Sequence, residues 1–368
     1  MATRGQVILV TGWPGFIGRH LVRRLAEQIH RSRDRVAIVT RPAHTAAARA
    51  ELDSLGLCGD VVEGDVTQMH LGLSGAEYKA LLSEVTAIWH LAGRYDLTAR
   101  SVEIRAVNLE GTRHVLELAR AARRLERLHH FSTAYVSGDR KGVILEDELE
   151  AGQAFHDSYE RSKFAAERLV RRAMADVPAT VYRPTIVVGD SRTGEVDRFN
   201  APYYLAILLV AVPMRVPLPG DGLAPLNVVP VDYVVEAALS IGANPAAVGK
   251  TVHLADPAPL STRKVYELIA ARSGKSLPSV TLPHRAIDAL LGLPLLERLT
   301  RPHRDAIRLA NHFAVYNCRN ALDLLAGTGI RCPPITSYLD RLIEFVRSNM
   351  SPRARRLEDV EDPLDVTT

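Results

Sequence analysis

Tyr159 and Lys163 are four residues apart in a segment of helical periodicity, about 158–175, which places both side chains on one face. A phenol with a pKa of about 10 is a poor acid–base group at neutral pH, and a neighbouring ammonium favours the phenolate and lowers that value. The pair predicts a Tyr159 hydroxyl that gives or takes a proton at a carbonyl oxygen while hydride moves, with Lys163 tuning it and holding a nicotinamide ribose. By itself a Tyr-x-x-x-Lys spacing is common in helices, so its weight depends on what surrounds it.

The surroundings are informative. Val7 to Val10 reads as an apolar strand that runs into glycines 12, 15 and 18 and then a helix over 19–30. A dinucleotide needs such glycines: one for a tight turn, one for close backbone approach to the pyrophosphate, one for packing helix on strand. The expected cofactor contacts here are Gly12, Gly15, Phe16, Ile17, Gly18 and Arg19. About twenty residues on, where an NAD-binding chain offers a carboxylate to the ribose 2′-hydroxyl, the sequence has Thr40-Arg41. A guanidinium pairs with a 2′-phosphate, so Arg41, with Arg19 as a second clamp, predicts NADPH in preference to NAD. The competing reading is two surface arginines in an arginine-rich chain.

Asp65 and Val66 follow the third expected strand and suit an adenine amino group and ring; Asp65 is equally suited to capping the next helix. Leu91, Ala92 and Gly93 end the fourth strand with small residues that let the backbone approach a ribose. The fifth strand runs into Ser132-Thr133 at the sheet edge where such folds bind ligands. Thr133 is the expected hydrogen-bond donor to a reacting carbonyl, with Ser132 as competitor. Asn108, inside an expected long helix over 101–124, is either a proton-relay site towards Lys163 or a buried structural amide.

Strand runs at 7–10, 36–39, 61–63, 88–91, 128–132, 180–182 and 186–188 alternate with helical stretches, among them 44–55. This predicts an α/β fold with a doubly wound parallel sheet. Residues 1–190 would form the dinucleotide-binding domain, with 226–256 returning to it through a strand at 251–254 and a helix at 233–243. Residues 191–225 and 257–350 would form a smaller, discontinuous substrate lobe, mostly helical over 263–272, 284–299, 302–312, 319–326 and 336–348. Residues 351–368, of mixed charge and few apolar side chains, read as a flexible tail.

Composition narrows the class. The chain has 368 residues, 47% of them hydrophobic, and a formal charge of +4. That charge is spread along helical arginines, which argues against nucleic acid as a partner. Three cysteines, 58, 318 and 332, fit neither a zinc site nor a disulfide framework, and no metal is expected. The first strand begins too early for a leader, which predicts a cytoplasmic protein. The longest apolar run, 203–212, falls short of the roughly twenty residues of a membrane span. Together with 287–299 it suits the wall of a pocket for an oily substrate, where each buried methylene is worth about 0.8 kcal/mol; ordinary core packing explains either segment alone equally well.

With these residues in place, the chain resembles the extended short-chain dehydrogenases/reductases over roughly residues 5 to 270. Thr11-Gly-Trp-Pro-Gly-Phe-Ile-Gly18 matches the family's glycine turn, although Trp13-Pro14 is unusual within it. Asp65-Val66 matches the adenine contact, His90-Leu-Ala-Gly93 the fourth-strand signature, and Asn108, Thr133, Tyr159 and Lys163 the catalytic set. Arg183-Pro184 and 228–232 fit later markers, which implies that Pro184 and Thr185 lie near the nicotinamide. Segments 131–138 and 182–195 resemble the acyl-thioester reductase branch, which includes fatty acyl-CoA reductases and the terminal reductase domains of carboxylic acid reductases. No carrier or adenylation domain lies within these 368 residues.

The resemblance implies NADPH-dependent reduction of a lipophilic acyl thioester, on coenzyme A or an acyl carrier protein, to aldehyde or alcohol. It also implies a homodimer through the 101–124 and Tyr159 helices; peripheral contact with a membrane is compatible with it. The alternatives are a dehydrogenase or ketoreductase of a sterol-like or other hydrophobic carbonyl, and a sugar-nucleotide epimerase or dehydratase. A nucleotide-sensing regulator is the non-enzymatic one.

Overall fold

The computed structural model describes residues 5–29, 34–95, 99–196, 222–272 and 312–349. A seven-stranded, wholly parallel sheet lies at its centre. Its strands are β1 (Val7–Thr11), β2 (Arg35–Thr40), β3 (Gly59–Glu63), β4 (Ala87–His90), β5 (Arg127–Phe131), β7 (Ala179–Pro184) and β10 (Thr251–Leu254). Their spatial order is β10-β7-β5-β4-β1-β2-β3. The winding reverses between β1 and β4, the topological switch point outside which α/β sheets bind ligands.

The strands are apolar on both faces because helices cover both. Alternation along each strand divides the interior in two. Ile8, Val10, Val36, Ile38, Trp89, Phe131 and Tyr182 face a core shared with α1 (Phe16–Ile29), α2 (Thr45–Ser54), α7 (Val231–Ala243) and α9 (Arg319–Leu324). Val7, Leu9, Ala37, Val39, Ile88, Leu128 and Val181 face the other, shared with α3 (Gly75–Glu84), α5 (Gly111–Ala121) and α6 (Ser158–Ala173). Within α1, Leu21, Val22, Leu25 and Ile29 recur at helical spacing and are buried. Each is worth about 1.5–3 kcal/mol of burial. A smaller cluster joins α8 (Thr262–Arg272) to α10 (Leu339–Asn349) through Val265, Ile269, Leu342 and Val346.

Several expected elements differ. The helix foreseen over 101–124 is α4 (Ser101–Arg105), a π-helical turn (Ala106–Glu110) and α5, ending at Ala121. The strand expected at 251–254 joins the sheet as β10, but the strand expected at 186–188 does not belong to it. Val228–Pro230 (β9) instead pairs with Ile186–Val188 (β8) in a separate two-stranded sheet. The sequence reading overlooked α3, although Ser74 and Glu77 form a full capping box before it, and did not foresee the parallel pairing of Gly142–Ile144 (β6) with Ala314–Tyr316 (β11). The segments 203–212, 284–299, 302–312 except its last residue, and the tail 351–368 lie outside the described residues. No helix among the described residues is long and apolar enough to cross a membrane.

Candidate active site

The turn after β1 leaves no room for side chains at its glycines. A Cβ on Gly12, whose φ is +92°, would lie 2.5 Å from the Ala92 nitrogen and from the Leu91 carbonyl carbon. On Gly15 and Gly18 it would lie 2.7 and 2.6 Å from the Gly12 oxygen. Only glycine fits this contact between the exits of β1 and β4, and α1 begins directly after it with Phe16, Ile17 and Gly18, whose amides have no acceptor one turn back within the helix. Trp13, unusual in such a turn, is buried and pins it. Its indole N–H donates to Glu51 at 2.9 Å, and its carbonyl accepts from the Thr40 hydroxyl at 3.1 Å.

Thr40 ends β2, and the exposed Arg41 follows it, 3.4 Å from His44 Nε2. Arg19 is half-buried in the first turn of α1. Asp65 Oδ1 accepts the Thr67 amide at 2.8 Å, so its side chain shapes a turn; Ser74, not Asp65, caps the next helix. Val66 is buried, and a Cβ on Gly111 would meet it at 3.0 Å. Pro184 ends β7 and Thr185 follows it; both are buried, and the Thr185 hydroxyl oxygen has no hydrogen-bond partner among the described residues. A buried polar atom without a partner is uncommon. With the glycine cradle it fits a dinucleotide laid across the switch point.

Beside this cradle the structure brings Thr133, Tyr159 and Lys163 together. Asp157 caps α6 by accepting the Glu160 amide at 2.8 Å, which starts the helix so that Tyr159 lies in its first turn. Thr133, at the exit of β5, has its side chain beside the Tyr159 hydroxyl, close enough to act on its pKa. Lys163 Nζ donates to the Phe131 carbonyl oxygen at 2.6 Å and is buried. A Cβ on Gly93 would lie 3.8 Å from Nζ and 3.5 Å from Asn108 Oδ1, so the fourth-strand exit closes the other side. The exposed ring of Tyr95 meets that of Tyr159 edge-on, with centroids 4.8 Å apart.

The expected lowering of the Tyr159 pKa is not what this structure shows. Burial pushes it up to about 12; the Thr133 side chain offsets this in part, and Asp157 and Glu160 add to the rise. Lys163 is itself pushed down to about 8 by burial, opposed by Glu167. Desolvation is the largest cause of both shifts, and the ammonium is engaged with a carbonyl of β5.

The geometry bears on two open choices. Ser132 donates to Glu167 at 2.6 Å, and Glu167 in turn binds Arg183 at 2.7 Å and Arg171 at 2.9 Å, so Ser132 belongs to a buried ionic network. Asn108 lies in the π-turn, where the Gly111 amide reaches back to the Ala106 carbonyl. Its Oδ1 accepts the Arg94 amide at 2.7 Å, and its Nδ2 donates to the Ser162 hydroxyl at 2.9 Å and the Arg94 carbonyl at 3.2 Å. The amide thus fastens the β4 exit to α6. Sequence reasoning missed Glu167, whose only signal is its place one helical turn after Lys163.

A parallel doubly wound sheet with a glycine turn, and Tyr159, Lys163 and Thr133 at its carboxyl edge, defines an oxidoreductase of the extended short-chain dehydrogenase/reductase type. Residues 10–238, which include the turn and the Tyr159–Lys163 pair, match the NAD-binding family described as male sterility protein, and the chain belongs to that family. It is 26% identical over 361 residues to the nonribosomal peptide synthetase asaC of Aspergillus flavus, covering 89% of this chain and 35% of that protein. To the fatty acyl-CoA reductase wat of Drosophila melanogaster it is 24% identical over 282 residues, covering 65% and 54%. The crystal structure of the terminal R domain from the myxalamid PKS-NRPS biosynthetic pathway superimposes with a TM-score of 0.80 at 27% identity, covering 96% of this chain and 93% of that one. The chain spans between 35% and 54% of the length of these two curated relatives.

Proposed function

We propose that the chain reduces a lipophilic acyl thioester, on coenzyme A or on a carrier protein, to the aldehyde or the alcohol, with NADPH as reductant. The Thr133 side chain beside the Tyr159 hydroxyl, with buried Lys163 one helical turn on at the edge of the glycine cradle, carries the reading. The likeness to a terminal R domain and to a fatty acyl-CoA reductase supports the thioester. NADPH over NADH rests on Arg41, which follows β2 in place of the carboxylate an NAD-binding chain offers there, and on Arg19.

The cofactor would be held by the turn of Gly12, Gly15 and Gly18 with Phe16 and Ile17, by Arg19 and Arg41, by Asp65 and Val66 at the adenine end, by Leu91, Ala92 and Gly93, and by Lys163, Pro184 and Thr185 at the nicotinamide end. When bound, it supplies a hydride to the thioester carbonyl carbon. Thr133 and Tyr159 aim their hydroxyls at the carbonyl oxygen and hold the negative charge that develops on it. A phenol kept protonated by burial suits that donor role. Lys163 holds positive charge behind Tyr159, and Asn108 fixes the β4 exit against α6. When the carbonyl re-forms, the carbon–sulfur bond breaks and thiol leaves with one proton.

Incubating the protein with NADPH and either acyl-CoA or free aldehyde, with thiol titrated, tests this. Thiol is expected in step with NADPH oxidation; aldehyde reduction without thiol from any acyl chain length would mean a ketoreductase instead.

A further inference from the structure

Donor and acceptor accounting along three buried side chains fixes the state of an imidazole at the switch point. The Thr112 hydroxyl oxygen lies 2.7 Å from the Asn108 carbonyl oxygen, which only accepts, so the hydroxyl hydrogen of Thr112 points there. The 3.0 Å contact between His90 Nε2 and the same hydroxyl oxygen must then run the other way, with Nε2–H donating. Burial, and then the charge of Lys163, pushes His90 down to about 3, so its ring is neutral and carries one hydrogen. Its Nδ1 is therefore a bare acceptor, and the Thr11 hydroxyl, 2.8 Å away, donates to it.

The bonds run one way, from Thr11 at the last position of β1, through His90 at the end of β4, to Thr112 and the carbonyl inside the π-turn. Thr11 is adjacent to Gly12 of the cradle. At the other end, Asn108 donates to the Ser162 hydroxyl, which donates to the Tyr159 carbonyl at 2.9 Å. Burial of a histidine in this core does not by itself produce such bonds. His130, with its ring centroid 5.4 Å from that of His90 and equally buried, has no partner at either nitrogen among the described residues.

We infer that His90 and Thr112 are positioning residues: a one-way relay from Thr11 locks the π-turn carrying Asn108, and through Asn108 and Ser162 it sets the first turn of the helix that bears Tyr159. The relay couples the backbone that would cradle the pyrophosphate to the proton donor. Its kinetic readout rests on the proposed thioester reduction; its hydrogen-bond pattern does not.

The test is a double-mutant cycle of Thr11→Val and Thr112→Val, each of which removes one hydroxyl at nearly constant shape, with Thr112→Ser as the conservative control. With saturating NADPH and an acyl-CoA, each valine variant is expected to lower kcat about 10-fold with the thioester KM changed less than about twofold, since small misplacements cost rate rather than ground-state binding. The double variant should lose about 10-fold, not about 100-fold, because both changes break one relay. Thr112→Ser should restore the rate. Multiplying losses, or a kcat unmoved by either change, overturns the relay. Nitrogen-15 spectra of the wild-type imidazoles at pH 7 decide the matter without turnover or variants. His90 should be neutral with its hydrogen on Nε2, and a hydrogen on Nδ1 overturns the inference even if the variants fail to fold. Absence of turnover with every acyl thioester would sink the proposed function alone, leaving the spectrum to judge the relay.

Discussion

Replacing Glu167 by Gln keeps the shape of the side chain and removes one charge from between two guanidiniums. Glu167 is fully buried and Arg183 is 1% exposed, 2.7 Å apart, with Arg171 at 2.9 Å and the Ser132 hydroxyl at 2.6 Å. Arg183 also donates to the Glu148 carbonyl at 2.8 Å and contacts His253 Nε2 at 3.2 Å, so it cannot leave for solvent when its counter-charge goes. Breaking one partner of such a pair costs about 3–5 kcal/mol, because the remaining charge stays buried and uncompensated. Urea unfolding at pH 7 should therefore show the variant less stable by that amount, with the double variant Glu167→Leu, Arg183→Met recovering most of it.

The deficit should also depend on pH. Burial alone would raise the Glu167 carboxyl, but Arg183, Arg171 and Ser132 outweigh it and hold the native pKa below its ordinary value. The unfolded chain binds its proton near pH 4.3, so the stabilisation is complete above that value and drains away as pH falls through the lower native pKa. A loss under about 1 kcal/mol at pH 7, or a deficit that grows on acidification, would refute the reasoning.

Tyr159→Phe removes the proton donor, and its turnover should fall by about 10²–10⁴ while NADPH still binds, read by single-turnover absorbance and by quenching of protein fluorescence. Arg41→Ala should raise the KM for NADPH far more than that for NADH; an equal effect on both would remove the 2′-phosphate contact. Because Lys163 is held near 8, it is charged below that value and neutral above it, so kcat/KM for NADPH should be level at lower pH and decline as pH rises through about 8. A profile that stays level to pH 10 would show that the ammonium is not required.

The parallel sheet was legible because Val7–Thr11, Ala87–His90 and Ala179–Pro184 are short β-branched or aromatic runs, each bounded by turn or helix signals. The place where Thr133 and Tyr159 meet could be anticipated from the strand exit and the spacing to Lys163. The π-turn was not legible, since nothing in Ala106–Glu110 breaks helical periodicity; it arises from tertiary hydrogen bonds to Arg94, Ser162 and His90 through Thr112. The sign of the Tyr159 shift was misjudged for a related reason, because sequence spacing reports the neighbouring charge but not the depth at which both groups lie. β6 and β11 have three residues each, too few for alternation to distinguish them from loop, and only the fold brings them together.

The pairing of β6 with β11 ties late-made chain to early-made chain. Tyr316 shares a hydrogen bond with Ser137 at 3.1 Å, just beyond Thr133, and Glu146 accepts the amides of His253, Asn320 and Ala321. On a ribosome, the loop that follows the reactive strand waits for residues 312–349 before its polar groups are satisfied, and closing so long a loop is slow. Ribosome-bound chains stalled before residue 312 should fold their seven-stranded sheet yet remain without activity until residues 312–349 have been made and docked.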